Sequence, residues 1–218
     1  GRLIDLLEKY PKTIRNTNDR SMTKTDHHRK IARKFDKEFF DGERNFGYGG
    51  FNYNQKYWTN VVRDFVQYWN LKDGNKVLDI GCAKGFMVYD FFVQFPDIKC
   101  EGIDISQYAI DNCKKEVKHL VKVANATDLP YEDDTFDAVI SINTIHNLDL
   151  ENCTKALKEI ERVSKKSSYI TVDAFTNEED KKRMFDWNLT AKTIMSDKDW
   201  IKFFKEVDYN GDYYWFIP

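Results

Sequence analysis

Val77-Leu78-Asp79-Ile80-Gly81-Cys82-Ala83-Lys84-Gly85 decides how this chain is read. An apolar run broken by one acid leads into a turn of small residues. That pattern marks a buried parallel strand feeding a tight loop at a helix N-terminus. About 20 residues further on, Glu101-Gly102-Ile103-Asp104-Ile105-Ser106 gives a second strand ending in a carboxylate. Together they suit a nucleoside-bearing ligand, because the turn admits close backbone approach and the acid accepts from both ribose hydroxyls. The turn departs from the dinucleotide pattern Gly-x-Gly-x-x-Gly, which requires glycine at 83 and 86; Ala83 and Phe86 stand there. A ligand with a carboxylate and an amine but no pyrophosphate tolerates such a turn better.

Beyond Asp73-Gly74 the pattern alternates. Strands are expected at 76–80, 99–103, 120–123, 136–142 and 168–174, and helices at 84–94, 106–117, 151–164, 178–186 and 197–206. This implies an α/β fold with a mostly parallel central sheet and helices on both faces. Asp212 to Ile217 reads as a closing, antiparallel strand, and 189–195 is open between a strand and an irregular segment. Before Asp73, residues 1–10 read as a short amphipathic helix ended by Pro11, and 12–20 as loop. A helix is expected over 21–40, with Ile31, Phe35 and Phe39 at steps of four. Glu43 to Asn54 interleaves Gly47, Gly49 and Gly50 with Phe46, Tyr48, Phe51 and Tyr53, a sharply bending loop that presents aromatic rings. A helix over 55–69 carries Trp58, Val61, Val62, Phe65 and Trp69 as its apolar stripe.

With 218 residues, 41% hydrophobic and 32% charged, the chain fits one domain plus an accessory segment. No run of about 18 apolar residues occurs, and Gly1 to Asp5 lacks a signal-peptide pattern. A cytoplasmic protein with no membrane association is therefore expected. A start at Gly rather than Met is what trimming or truncation leaves. Cys82, Cys100, Cys113 and Cys153 form no Cys-x-x-Cys pair, so free thiols and no bound metal are expected. Residues 1–56 hold 13 Lys and Arg against 8 Asp and Glu, whereas the remainder holds 21 against 28. This basic segment either attracts an anionic acceptor or docks on the body's own acids.

Further along stand Ala124-Asn125-Ala126-Thr127-Asp128-Leu129-Pro130-Tyr131 and Asp134-Thr135-Phe136-Asp137-Ala138-Val139. With these in order after the turn and Asp104, Val77 to Ala174 resembles the class I S-adenosylmethionine-dependent methyltransferases. It is most similar to the type 11 small-molecule group, which includes quinone-biosynthesis C-methyltransferases. The resemblance implies a Rossmann-like fold, with a helical lid in residues 1–70 and an S-adenosyl-L-methionine-binding domain in 71–218. It implies that Gly81, Cys82, Ala83 and Gly85 form the loop under the methionine moiety. Asp104 would hold the ribose diol and Ile105 would flank adenine. Asn125 replaces the family's Asp beside the adenine amino group, keeping an acceptor oxygen, and the Ala126 backbone meets the ring. Asn143 would lie beside the methionine portion. Asp79, just before the turn, is placed to orient the loop or a bound ammonium. Plainer readings stand beside these: Asp104 as a helix cap, Asn125 as a turn residue, Asp79 as a backbone cap.

Methyl transfer from a sulfonium is an in-line displacement that needs the acceptor held near the methyl carbon, and in some cases a base. After the fourth strand stands Ser141-Ile142-Asn143-Thr144-Ile145-His146, with neither the Asn/Asp-Pro-Pro-Tyr of base amino-methylation nor a Pro-Cys nucleophile. His146 is a candidate base by its family position. His27 and His28 are further candidates, with surface or packed histidine as the alternative. Arg44, Tyr48, Tyr53, Trp58 and Trp187 are candidate acceptor contacts; Thr190, Arg29 and Arg33 are weaker ones. These residues favour a small polar acceptor, including anionic ones: a sugar, a nucleotide-linked sugar or a phosphorylated metabolite, methylated on O or N. Nucleic acid is disfavoured by a pI near 6.1 and the lack of a long basic stripe. The product would be S-adenosyl-L-homocysteine, made by a monomer or homodimer. Two other readings compete: a non-catalytic S-adenosylmethionine-binding sensor or partner subunit, and, with less support, an NAD-dependent enzyme.

Overall fold

The computed structural model describes residues 1–11, 25–165 and 167–217. Its sheet begins with β1 (Lys76–Ile80), whose last four residues are all buried. A strand apolar on both sides needs cover on both sides, and β1 pairs parallel with β2 (Lys99–Asp104) and with β4 (Ala138–Ile142). β3 (Val121–Val123) lies outside β2, and β5 (Ser168–Phe175) outside β4, both parallel. The order β3-β2-β1-β4-β5 reverses direction at β1. At such a switch point the crossovers leave on opposite faces and open a crevice at the strands' carboxyl ends.

Three helices clad one face: α3 (Gln55–Tyr68), which buries Val61, Val62 and Phe65, α4 (Phe86–Gln94) and the short α5 (Gln107–Asp111). The other face is covered by α6 (Leu150–Val163) and α8 (Asp197–Glu206), whose Leu157, Ile160, Trp200 and Phe204 meet the inward side chains of β4 and β5. Caps foreseeable from composition hold several of these helices. Asn54 accepts from Lys56 N–H at 3.1 Å, Asp149 from Asn152 N–H at 3.0 Å and Ser196 from Asp199 N–H at 3.1 Å.

Four expectations need correction. The closing strand β7 (Asp212–Phe216) runs parallel to β5, with Tyr169 opposite Asp212 and Asp173 opposite Phe216. Helix α8 carries the chain back to the start of β5 before β7 begins, so a parallel entry is forced. Residues 1–10 do not form a helix. Leu3 bridges Tyr213, with Ile4 N–H donating to Tyr213 O and Tyr213 N–H to Arg2 O, both at 3.0 Å. Satisfying the outer edge of β7 outweighs a marginal local helix.

The helix expected over 21–40 is two pieces, α1 (Asp26–Ala32) and α2 (Lys37–Asp41), with Phe35 at φ 50° between them; residues 21–24 lie outside the described range. Asp36 ends the first piece's continuation by capping the second through Lys37 N–H at 2.7 Å. The helix expected over 106–117 stops at Asp111, and a 3-10 turn covers Lys115–Leu120. Lys114 N–H donates to Lys84 O at 3.0 Å and draws the chain out of the helical path. After β5 come α7 (Glu178–Trp187) and the two-residue β6 (Met195–Ser196), so 189–194 is irregular. Among the described residues no helix is long and apolar enough to cross a membrane.

Candidate active site

A cavity of about 1490 Å³ opens at the carboxyl ends of β1, β2, β4 and β5. Its floor is the turn after β1. Gly81, Ala83 and Gly85 take φ values of 82°, 49° and 71°, so the loop winds left-handed at alternate residues. Glycine tolerates this freely; Ala83 bears the Cβ strain the position imposes. A Cβ on Gly81 would stand 2.0 Å from Thr144 Oγ1, which is why β1 and the loop after β4 approach so closely. Gly81 and Cys82 both donate N–H to Ile103 O, at 2.8 and 2.9 Å.

Asp104 ties this loop to the end of β2. One carboxylate oxygen accepts from Ala83 N–H and the other from Ser106 N–H, each at 2.8 Å. With Ile105 N–H a third backbone neighbour, the carboxylate still has acceptor capacity left for a hydroxyl ligand. Burial raises the Asp104 carboxyl, and the backbone donors pull against that rise. Ser106 caps its own helix through Ala109 N–H at 3.0 Å, so Asp104 is not needed for that role. Beside it Ile105 lies 57% exposed to the cavity, a large apolar side chain without cover.

Asp79 is only 4% exposed and lines the same cavity. Burial, and then the neighbouring Asp104 charge, push its carboxyl up to about 8. Among the described residues, no cation or hydrogen-bond donor offsets that burial. A buried carboxylate in this condition calls for a cationic group from a ligand.

Asn125 and Ala126 line the wall opposite. The Asn125 oxygen accepts from Thr127 N–H at 3.0 Å in a local turn, so only its remaining lone pair faces outward. Asn143, at φ 52°, lines the cavity and is held through Thr171: its N–H donates to Thr171 Oγ1 and its oxygen accepts from that hydroxyl, both at 2.9 Å. Cys82 also lines the cavity, and burial drives its thiol well above the ordinary range. It is no nucleophile.

On the acceptor side, Arg44, Tyr48, Trp58, Trp187 and His146 line the cavity. Gly85 and Tyr53 do not. Gly85 is the left-handed cap of α4, and Tyr53 packs edge-on against Phe86 and Tyr89. His27 and His28 stand on α1 outside the lining. His28 closes a capping box with Thr25, and its ring packs 5.2 Å from Phe46.

Two features were not foreseen from sequence. Asp173, the acid of the apolar strand β5, stands 3.6 Å from His146, and both are nearly buried in the cavity wall. The signal was available, since Asp173 lies near the carboxyl end of its strand, as Asp79 and Asp104 do in theirs. The second is a junction at Asp41, which accepts from Lys84 Nζ at 2.6 and 2.8 Å, Tyr108 OH at 2.7 Å and Phe51 N–H at 3.0 Å. Burial raises the Asp41 carboxyl, yet these donors together hold it below its usual value. Residues of different type, 43 and 67 positions from Asp41 (a lysine in the domain's loop and a tyrosine on α5), leave no pattern along the chain.

A family model described as a methyltransferase domain matches residues 71–211. The chain belongs to that family. Among relatives of the methyltransferase domain, a tRNA (carboxymethyluridine(34)-5-O)-methyltransferase of Arabidopsis thaliana is 32% identical over 135 residues, 61% of this chain and 31% of its own length. A demethylmenaquinone methyltransferase of Symbiobacterium thermophilum is 32% identical over 116 residues, 50% of this chain and 45% of its own. The chain thus spans less than half of either relative. A solved structure of a Bacillus halodurans protein superposes with a TM-score of 0.50 at 21% identity, covering 67% of each chain. That likeness supports the fold alone. The class I methyltransferase family takes its methyl group from S-adenosylmethionine. The residues of this methyltransferase domain fit such a donor: the orphaned Asp79 suits its cationic end, Asp104 its ribose and Ile105 its base.

Proposed function

We propose that this chain is an S-adenosylmethionine-dependent methyltransferase acting on an O or N atom of a small polar acceptor that carries an anionic group. The observation that carries this reading is one continuous cavity joining Asp79 and Asp104 to a rim of Arg33, Lys34, Arg44, Arg183 and Lys192. The donor, when bound, supplies an electrophilic methyl group. The protein's own part is to bind and orient. Asp79 would meet the ammonium or sulfonium, Asp104 the ribose diol, and Gly81 to Ala83 the methionine backbone. Residues 1–70 would act as the lid, since Phe39, Arg44, Tyr48 and Trp58 all face the cavity, and residues 71–218 would bind the donor.

Relatives with different named acceptors share this domain, so the acceptor is argued from the rim. Arg33 donates to the carbonyls of Thr190 and Ala191 at 3.2 and 3.1 Å, and Arg44 to those of Gly47 and Tyr48 at 3.0 and 2.7 Å. Carbonyls satisfy donors without cancelling charge, so the rim stays cationic. A phosphorylated or nucleotide-linked sugar suits it better than a quinone or a neutral metabolite. The four cysteines are unpaired and buried, which suits a reducing, cytoplasmic setting, and a monomer or homodimer remains our reading of its state.

Calorimetry with S-adenosylmethionine, S-adenosylhomocysteine and NAD is the first test. Binding of both adenosyl ligands is expected, weakened by about 1–3 kcal/mol in Asp104→Ala. NAD binding without either adenosyl ligand would sink the reading. Turnover of labelled donor over phosphorylated and neutral acceptors then identifies the class. Tight donor binding with no turnover of any acceptor would favour the sensor alternative.

A further inference from the structure

His146 has the family position of a base, but its surroundings deny it that role. Asp173 N–H donates to His146 Nδ1 at 3.0 Å. A nitrogen that accepts a backbone hydrogen bond cannot also carry a ring proton, so the proton of the neutral imidazole sits on Nε2. The ring is buried, which lowers its affinity for a second proton, against the pull of the Asp173 charge. Its one basic lone pair is therefore committed to the backbone, and Nε2 stands 3.6 Å from Asp173 Oδ1, close but beyond hydrogen-bond distance.

Asp173 is held from both ends of its own peptide. Its N–H is on His146, and its carbonyl accepts from Trp200 Nε1 at 2.9 Å, with Trp200 fully buried. Pairing with Phe216 of β7 fixes the strand on the far side. Alternation along β5 puts Thr171 and Asp173 on the cavity side, while Ile170, Val172 and Ala174 enter the opposite core. Thr171 holds Asn143, the residue placed beside the donor's methionine, so Asp173 lies one step further along the same face. The loop after α7 completes the arrangement, since Lys192 and Thr193 both donate N–H to His146 O at 3.0 Å. Lys192 also lines the cavity.

Resting on the methyltransferase reading above, we propose that Asp173 takes the proton from the acceptor's O–H or N–H, and that His146 is a positioning residue whose Nδ1 anchors the Asp173 backbone and whose Nε2–H lies beside the carboxylate. The acceptor's oxygen or nitrogen forms its bond to the methyl carbon. The carbon–sulfur bond breaks with its pair left on sulfur, and the acceptor's proton passes to an Asp173 oxygen and then to solvent. The acceptor's anionic group lies towards Lys192 and Arg33. The other charged groups that line the cavity from elements packed on β5 are Arg183 of α7 and Asp5 of the N-terminal turn.

Two measurements test this, one of them free of any acceptor. Nitrogen-15 spectra of the imidazoles, taken between about pH 5 and 8, should show His146 as an Nε2–H tautomer that does not titrate. An Nδ1–H tautomer, or ordinary titration of that ring, would overturn the assignment. The second is the kcat–pH profile with an acceptor from the turnover screen. Asp173→Asn should lower kcat by at least about 100-fold and abolish the acid limb. Its affinity for S-adenosylhomocysteine should stay within about threefold, which also shows that the variant is folded. His146→Gln should keep the limb, whereas His146→Leu should move it to higher pH because the carboxylate loses its polar neighbour. A limb that disappears in His146→Gln and survives in Asp173→Asn refutes the proposal. Loss of S-adenosylhomocysteine binding by the wild type would instead defeat the donor reading, and the imidazole spectra would still decide the tautomer.

Discussion

Asp79 shows how one residue sets a stability cost against a binding gain. Its carboxyl lies at about 8 in the fold against 3.8 for the free group. Between those values the folded state holds a proton that the unfolded state has lost, so the contribution of Asp79 to stability falls as pH rises through this window. Above it the charged carboxylate is simply buried. Asp79→Asn removes the titration, so its Tm advantage over the wild type should grow from about pH 4 to about pH 8 and then level off. Donor affinity should run the other way. A cationic ligand binds the carboxylate form, so wild-type affinity should climb by up to about tenfold per pH unit on approaching pH 8 and the Asn variant should stay flat. Parallel Tm curves for the two proteins would show that Asp79 is ionised without cost and that the ligand is not needed to balance it.

At the scale of elements, the junction at Asp41 joins three pieces that are far apart in the chain: the end of α2, the turn after β1 and the start of α5. Lys84 is 8% exposed at its side chain and Asp41 26%, a pair dry enough for loss of one partner to matter. Aromatic packing extends it, with Phe51 4.2 Å from Tyr48 and 4.8 Å from Phe86 between ring centres. Asp41→Asn should loosen the segment from Lys37 to Phe51 by about 1–3 kcal/mol. Hydrogen exchange should speed up there while β1, β2 and β4 keep their protection. Equal protection in the variant would mean that the aromatic contacts alone hold the segment down.

This contrast explains what could be read along the chain. The strand-turn-helix of β1 and the acid at the end of β2 are local patterns, and the cavity floor they build was legible because such patterns recur at fixed spacing. The Asp41 junction and the Asp173–His146 pair join positions with no shared period, visible only once the strands are side by side. The same holds for Leu3, whose apolar neighbours mimic a helix until the edge of β7 offers it a backbone partner.

At the scale of the whole molecule, the described residues show where part of the excess positive charge of the first 56 residues goes. Among the described residues, Arg2 pairs with Asp212 at 3.4 Å and Lys9 with Asp64 at 2.5 Å, at the sheet edge and on α3. Lys84 and Asp41 pair in the opposite sense, a cation of the body with an acid of the segment. Arg33, Lys34 and Arg44 face the cavity instead, and the two arginines bond to carbonyls. Charge from the basic segment is thus kept at the mouth of the cavity, while the carboxylates Asp79, Asp104 and Asp173 lie deep within it. On the proposed function, such a gradient would draw in an acceptor by its anionic end and leave its nucleophile to reach the acids. Rim charges in water are screened over about 10 Å at 0.1 M salt, and buried ones far less. KM for a phosphorylated acceptor should therefore rise several-fold between about 0.02 and 0.3 M salt, with donor affinity and kcat nearly constant. Arg44→Gln should flatten that dependence. A KM indifferent to salt would remove the rim from acceptor capture and shift selection to the aromatic wall of Tyr48, Trp58 and Trp187.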